Sequence, residues 1–126
     1  METKPFHAKV RFAPNAPPNT AFVELEGDIN ISAEAMLNAV YTESEQHNSP
    51  LVVLDFSRVN YVNSTGIALI VGLLARARKA KRELAVAGLS DHYREIFQIT
   101  RLSDFMRIYP DTADLTSAQV TNTPNK

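Results

Sequence analysis

The order of elements in this chain predicts an α/β fold: a mixed four- to five-stranded sheet with about four helices packed on it. Three observations carry that expectation. Two alternating segments near the N-terminus flank a proline-rich stretch, as in a hairpin. Residues 51–56 are apolar apart from Asp55 and do not alternate, as in a strand buried on both faces. From there on, helical and strand patterns alternate, as they do when parallel strands are joined by crossover helices.

The elements follow in order. Residues 8–13 and 22–26 alternate apolar and polar side chains, so each reads as a half-buried strand. Between them lies PNAPPNT, whose prolines cannot continue a sheet and make a loop instead. Gly27-Asp28-Ile29-Asn30 closes the second strand. Ser32 marks a helix start, and Ala35, Met36, Ala39 and Val40 lay an apolar face along it to about Glu45. Asn48-Ser49-Pro50 is a loop, Leu51 to Phe56 the third strand, and a short loop is expected after Asp55. A helix runs from about Ser64 to Lys81, its basic end complementing the helix dipole. Glu83 to Ala87 is a short strand closed by Gly88, and Ser90 or Asp91 caps a helix to Gln98. Phe105 to Tyr109 reads as a last strand, and Asp111 or Thr112 starts a final helix to about Val120. One domain is expected over residues 1–120, with residues 121–126, TNTPNK, as a disordered tail.

Composition narrows the function classes. Thirteen basic against fourteen acidic residues give no basic footprint for direct nucleic-acid binding. Cysteine is absent, which removes disulfides and thiolate metal sites. His7, His47 and His92 are dispersed, without metal-ligand spacing, so neither metal nor cofactor is expected. The longest apolar stretch, Ile67 to Ala75, is well short of the roughly 18–20 residues of a membrane span. A cytoplasmic protein without membrane insertion is the expectation.

The functional signal sits at Asn63-Ser64-Thr65-Gly66, which opens straight into an apolar helix. Helix N-termini leave N–H groups unpaired at the positive end of the dipole, so hydroxyls there suit either a cap or an added phosphate. Ser64 or Asn63 is the capping candidate. Thr65 offers a second hydroxyl, and Gly66 permits close approach of another backbone. Ile67, Ile70, Val71 and Leu74 have the spacing of a sheet-facing stripe. Leu69 and Leu73, with Ala68 and Gly72, then fall on the outward side, where charges are usual, and this predicts a docking face beside Ser64. The same exposed apolar surface leaves a homodimer open.

An enzyme is the competing class. Ser64, His92 and Asp55 supply the residue types of a nucleophile, base and carboxylate. However, Asn63-Ser64-Thr65-Gly66 is not the Gly-x-Ser-x-Gly elbow, and no Gly-rich phosphate loop is present. A non-enzyme with no catalytic residues is expected. Asp55 reads as a turn-forming residue, and Arg58 and the basic run Arg76 to Arg82 as solvated charges.

Residues 51–74 also resemble the central motif of the STAS family, of the anti-sigma factor antagonist type. Its pattern of Asp-Phe/Leu-Ser-x-Val followed by Asp-Ser-Ser/Thr-Gly is matched by Asp55-Phe56-Ser57-Arg58-Val59 and Asn63-Ser64-Thr65-Gly66. The resemblance implies a STAS-like fold and places the family's regulatory phosphorylation on Ser64. It implies as partners an anti-sigma factor of serine kinase type, bound while Ser64 is unphosphorylated, and a serine phosphatase that restores binding. Partner contacts are then expected at Asp28, Asn30, Asn63, Thr65, Gly66, Leu69 and Leu73. Asn63 and Asn30 each stand where the family commonly has Asp, which removes negative charge at both places. Those departures favour an alternative: a STAS module docked permanently in a lipid-transport ABC system, a transporter or a stressosome-like scaffold, without phosphorylation.

Overall fold

The computed structural model describes residues 4–13 and 20–111. Five strands, β1 (His7–Ala13), β2 (Thr20–Ile29), β3 (Leu51–Val62), β4 (Glu83–Ala87) and β5 (Arg107–Tyr109), form one sheet in sequential order. β1 pairs antiparallel with β2, and every later pair is parallel. The mixed sheet expected from the sequence is therefore present. Three helices, α1 (Glu34–Gln46), α2 (Ser64–Lys79) and α3 (Asp91–Ile99), make the crossovers. Short 3₁₀ turns lie at Ile31–Ala33 and Leu102–Asp104. The fourth helix and the C-terminal tail expected beyond Asp111 lie outside the described residues.

Each crossover steps the same way along the sheet, and right-handed connections put all three helices on one face. The main core forms there, from Ala21, Val23 and Leu25 of β2, Val52, Leu54 and Phe56 of β3, and the inner stripes of the helices. The alternate strand residues Phe22, Leu51, Val53, Ala85 and Ala87 form a smaller cluster on the other face, with Tyr109 against it.

Two stretches depart from the expected elements. β3 does not stop near Asp55 but continues to Val62. Its first half is clamped between β2 and β4, whereas its second half pairs with β2 across two register shifts. Those irregularities let polar Ser57 and Arg58 and exposed Tyr61 remain in strand geometry. The helix faces are also rotated from expectation. α1 buries Leu37, Val40, Tyr41 and Ser44, leaving Met36 exposed, because the larger Leu37 and Tyr41 gain more from burial than Ala35 and Ala39.

All three helices end on a residue in the left-handed region, Asn48, Lys81 and Arg101, and none of these is glycine. At α2, the N–H of Lys81 donates to Arg78 and that of Arg82 to Ala77, the paired bonds of a Schellman cap. α1 ends alike, through Asn48 to Glu45 and Ser49 to Ser44. The basic run at the end of α2 is not simply solvated. Arg76 pairs with Glu45 at 2.7 Å and lies over the Tyr41 ring, and Arg82 donates to the carbonyls of Ser44, Glu45 and Ser49.

Candidate functional site

Parallel pairing of β2 with β3 brings Asp28 beside Tyr61 and Ile29 beside Val62 at the carboxyl end of the sheet. The chain leaves β3 through Asn63 directly into α2. Asn63 has extended backbone (φ −90°, ψ −177°), and its side-chain oxygen accepts from the Gly66 N–H at 2.8 Å. Asn63 is thus the cap, and Ser64 is not. Its own N–H donates to the Ile29 carbonyl, and its carbonyl accepts from Ile67. A carboxylate is unnecessary here, since an amide oxygen caps as well.

Gly66 fixes how closely α2 sits on β2. A methyl group at that position would lie 2.1 Å from the Ile29 carbonyl oxygen and 2.8 Å from a Val62 methyl. Gly66 is buried against the sheet, so its part is to seat the helix and it offers no surface to a partner. Tyr93 of α3 holds the other side of this junction: its hydroxyl accepts from the Val62 N–H at 2.9 Å and faces the Val62 carbonyl at 3.4 Å.

With these three anchors in place, Ser64 and Thr65 project into solvent in the first turn. Among the described residues, neither hydroxyl and neither backbone N–H has a hydrogen-bond partner. No acidic residue occupies that turn. The positive helix end is therefore available to an anion, and a phosphate on Ser64 would sit among free donors.

The remaining expected site residues divide by burial. Asn30 is half-buried and caps the 3₁₀ turn, accepting from Ser32 N–H at 2.9 Å. Asp28 is only 5% exposed, and its carboxylate accepts from the Asn60 amide at 2.8 Å and the Lys4 N–H at 3.0 Å. Those bonds, the Asn60 amide foremost, hold its pKa below the ordinary carboxylate value. Asp28 is thus a clasp between β3 and the N-terminal residues, and the expected partner contact there is corrected. Leu73 is corrected too. It is 1% exposed and belongs to the core, whereas Leu69 is half-buried against that core. α2 buries Gly66, Ile70, Leu73, Leu74 and Ala77, leaving Ala68, Val71, Gly72 and Ala75 outward. The close seat of Gly66 decides this rotation.

Two residues of this pole were not singled out from the sequence. Ile31 is 61% exposed in the 3₁₀ turn that packs beside α2, and Tyr61 is 54% exposed at the end of β3. A signal was available for each: Ile31 directly follows a capping Asn, and Tyr61 lies next to the turn itself. Ile31 lies in the turn beside α2 and Tyr61 three residues before Ser64, so both add exposed apolar surface at this end of the sheet.

Ser64, His92 and Asp55 are not assembled into a catalytic set. Asp55 accepts from the N–H and hydroxyl of Ser57, a local turn contact in mid-strand, roughly 20 Å along β3 from the start of α2. His92 stacks edge-on with Tyr93. No group of three or more metal-ligating side chains occurs among the described residues, and none of their helices is long and apolar enough to cross a membrane.

A family model described as "Mlab, STAS domain" matches residues 12–109. An anti-sigma-B factor antagonist of Staphylococcus aureus is 30% identical over 90 residues, which cover 71% of this chain and 83% of that protein. Among solved structures, an anti-sigma factor antagonist from Mycobacterium paratuberculosis superimposes with a TM-score of 0.75 at 18% identity, covering 91% of this chain and 94% of the other. The Bacillus cell fate determinant SpoIIAA in its phosphorylated form gives 0.66 at 15% identity, covering 89% and 99%. These two structural likenesses concern the fold.

Proposed function

The chain belongs to the STAS domain family, and from that premise we propose that it is an anti-sigma factor antagonist acting as a phosphorylation-controlled docking module. Its unmodified pole binds an anti-sigma factor of serine kinase type. Phosphorylation of Ser64 releases that partner, and a serine phosphatase resets the switch.

One observation carries the reading: Ser64 is exposed at a helix N-terminus whose structural duties are done by other residues. Asn63 caps, Gly66 seats the helix and Tyr93 fixes the end of β3. Adding about −1.5 to −2 charges to Ser64 therefore leaves the fold intact. The same charge beside Ile31 and Tyr61 would desolvate badly under a docked partner, so modification acts on binding and not on folding. The protein supplies the surface and the acceptor hydroxyl, and the partner supplies the chemistry.

A second reading, constant docking in a lipid-transport ABC system, a transporter or a stressosome-like scaffold, draws on Asn30 and Asn63. Both cap local turns through their amides, so the pole is built without two carboxylates that a kinase could recognise. A pull-down with wild-type and Ser64→Asp baits, with ATP or ADP present, separates the two. Partner switching requires a histidine-kinase-like ATPase on the wild-type bait alone and phosphate on Ser64 under ATP. Capture of the same transporter subunit by both baits, with Ser64 unmodified, supports constant docking.

A further inference from the structure

Away from the Ser64 turn, Val71, Leu74 and Ala75 of α2 form one wall of an open groove of about 500 Å³, with Leu102 and Phe105 on the opposite wall. Phe105 is 54% exposed and Val71 44%, so a ring and a branched side chain face water across it. On a small domain, clustered exposure of this kind marks a contact surface more often than scattered single residues do.

An arginine stands on each side of the groove, and only one of the two is free of a carboxylate among the described residues. Arg78 lies 5.1 Å over the Phe105 ring and makes no ion pair among the described residues. Its neighbours are otherwise committed, Arg76 to Glu45 and Arg82 to three carbonyls. Across the groove Arg101 occupies the left-handed region (φ 69°) and is fixed by Asp104 at 2.7 Å. Arg78 is thus the cation left without a carboxylate beside the apolar floor, among the described residues, and the ring under it shields one side of its guanidinium from water.

We propose that this groove is a second docking site, which takes an amphipathic helical segment of a partner protein carrying an apolar side chain one turn from a carboxylate. The apolar group enters between Val71 and Phe105, and the carboxylate meets Arg78. Charge complementarity selects this occupant over a purely apolar or basic helix. The site is separate from the pole around Ser64. Val71 is about 10 Å and Arg78 about 21 Å further along α2. At physiological ionic strength the screening length is about 8 Å, so phosphate on Ser64 leaves Arg78 nearly unaffected. A partner held here stays attached through the switching cycle.

The test is an amide NMR titration of the full chain with a synthetic helical peptide bearing Leu and Glu at i, i+4 spacing, and with its Glu→Lys counterpart. The Glu peptide should give saturable shifts at Val71, Ala75, Leu102 and Phe105, and the Lys peptide should bind at least about tenfold more weakly. Arg78→Glu and Phe105→Ser, both surface changes checked for folding by circular dichroism, should each reduce affinity by about tenfold or more. Ser64→Asp should bind as wild type does. Shifts centred instead on Ile31, Tyr61 and Thr65, equal binding of both peptides, or no saturable shift would overturn the proposal. So would self-association that moves the same amides without peptide.

Discussion

Replacing Leu73 with Ala, beside a matched Val71→Ala control, tests the rotation of α2 that decides which residues a partner can touch. Leu73 is 1% exposed in the main core, whereas Val71 is 44% exposed. Leu73→Ala removes three carbons from a dry site, worth about 2.4 kcal/mol at roughly 0.8 kcal/mol per buried methylene. A residual void of about 50 Å³ adds about 1.2 kcal/mol at roughly 24 cal/mol per Å³, for a total near 3.5 kcal/mol. At Val71 the lost contact is about half as large per carbon, and the better helix propensity of Ala returns some 0.5 kcal/mol. A net change below about 0.5 kcal/mol is expected there. Urea denaturation followed by circular dichroism reads both. With a slope of about 1.5 kcal/mol per molar, the Leu73→Ala midpoint should fall by roughly 2 M, and that of Val71→Ala should barely move. Equal shifts, or a larger one at Val71, would show that the helix is turned the other way and refute the burial argument.

Gly66→Ala should destabilise the protein by about 2 kcal/mol despite the helix propensity of Ala, because α2 must lift off the Ile29 carbonyl; wild-type stability in thermal unfolding would show that the helix seat is loose. Lys81→Gly relieves a left-handed non-glycine residue at a Schellman cap, and should raise stability by about 0.5–1 kcal/mol, read as an increase in Tm. Asp28 is held below its ordinary value of 3.8 by Asn60 and Lys4. The stability it contributes is therefore complete above 3.8 and fades as pH falls through the folded-state pKa. Its carboxyl carbon should titrate below 3.8 by NMR, with the midpoint moving up in Asn60→Ala; an unchanged midpoint would remove the clasp.

The sequence made the architecture readable because its strands and turns are marked by strong local chemistry. Gly88, Ser90 and the run at Leu51 to Leu54 sit where turn, cap and buried-strand rules put them. β3 beyond Asp55 was illegible for a physical reason. Ser57, Arg58 and Asn60 are poor strand formers alone and are held extended by pairing with β2. The face of α2 was hidden differently, since apolar residues surround its first turns and periodicity has nothing to choose between. One signal lay further along: Ala77, flanked by Arg76 and Arg78, marks the buried side. Stepping back from it by helical spacing gives Leu74, Leu73, Ile70 and Gly66, the stripe that is buried. That Ser64 opens α2 at its exposed first turn was readable from its place after Asn63, but the division of labour around it was not. That Asn63 caps, and that Tyr93 comes from a distant helix to tie Val62, depends on tertiary contacts.

The most direct test of the switching account is calorimetric titration of the purified anti-sigma partner into wild type, Ser64→Ala and Ser64→Asp. Each variant is first shown to be folded by its amide spectrum. The account requires wild-type affinity in Ser64→Ala and a loss of at least about tenfold in Ser64→Asp, with the folded spectrum retained. Equal affinity across all three proteins would contradict it and leave a pole that docks without being switched.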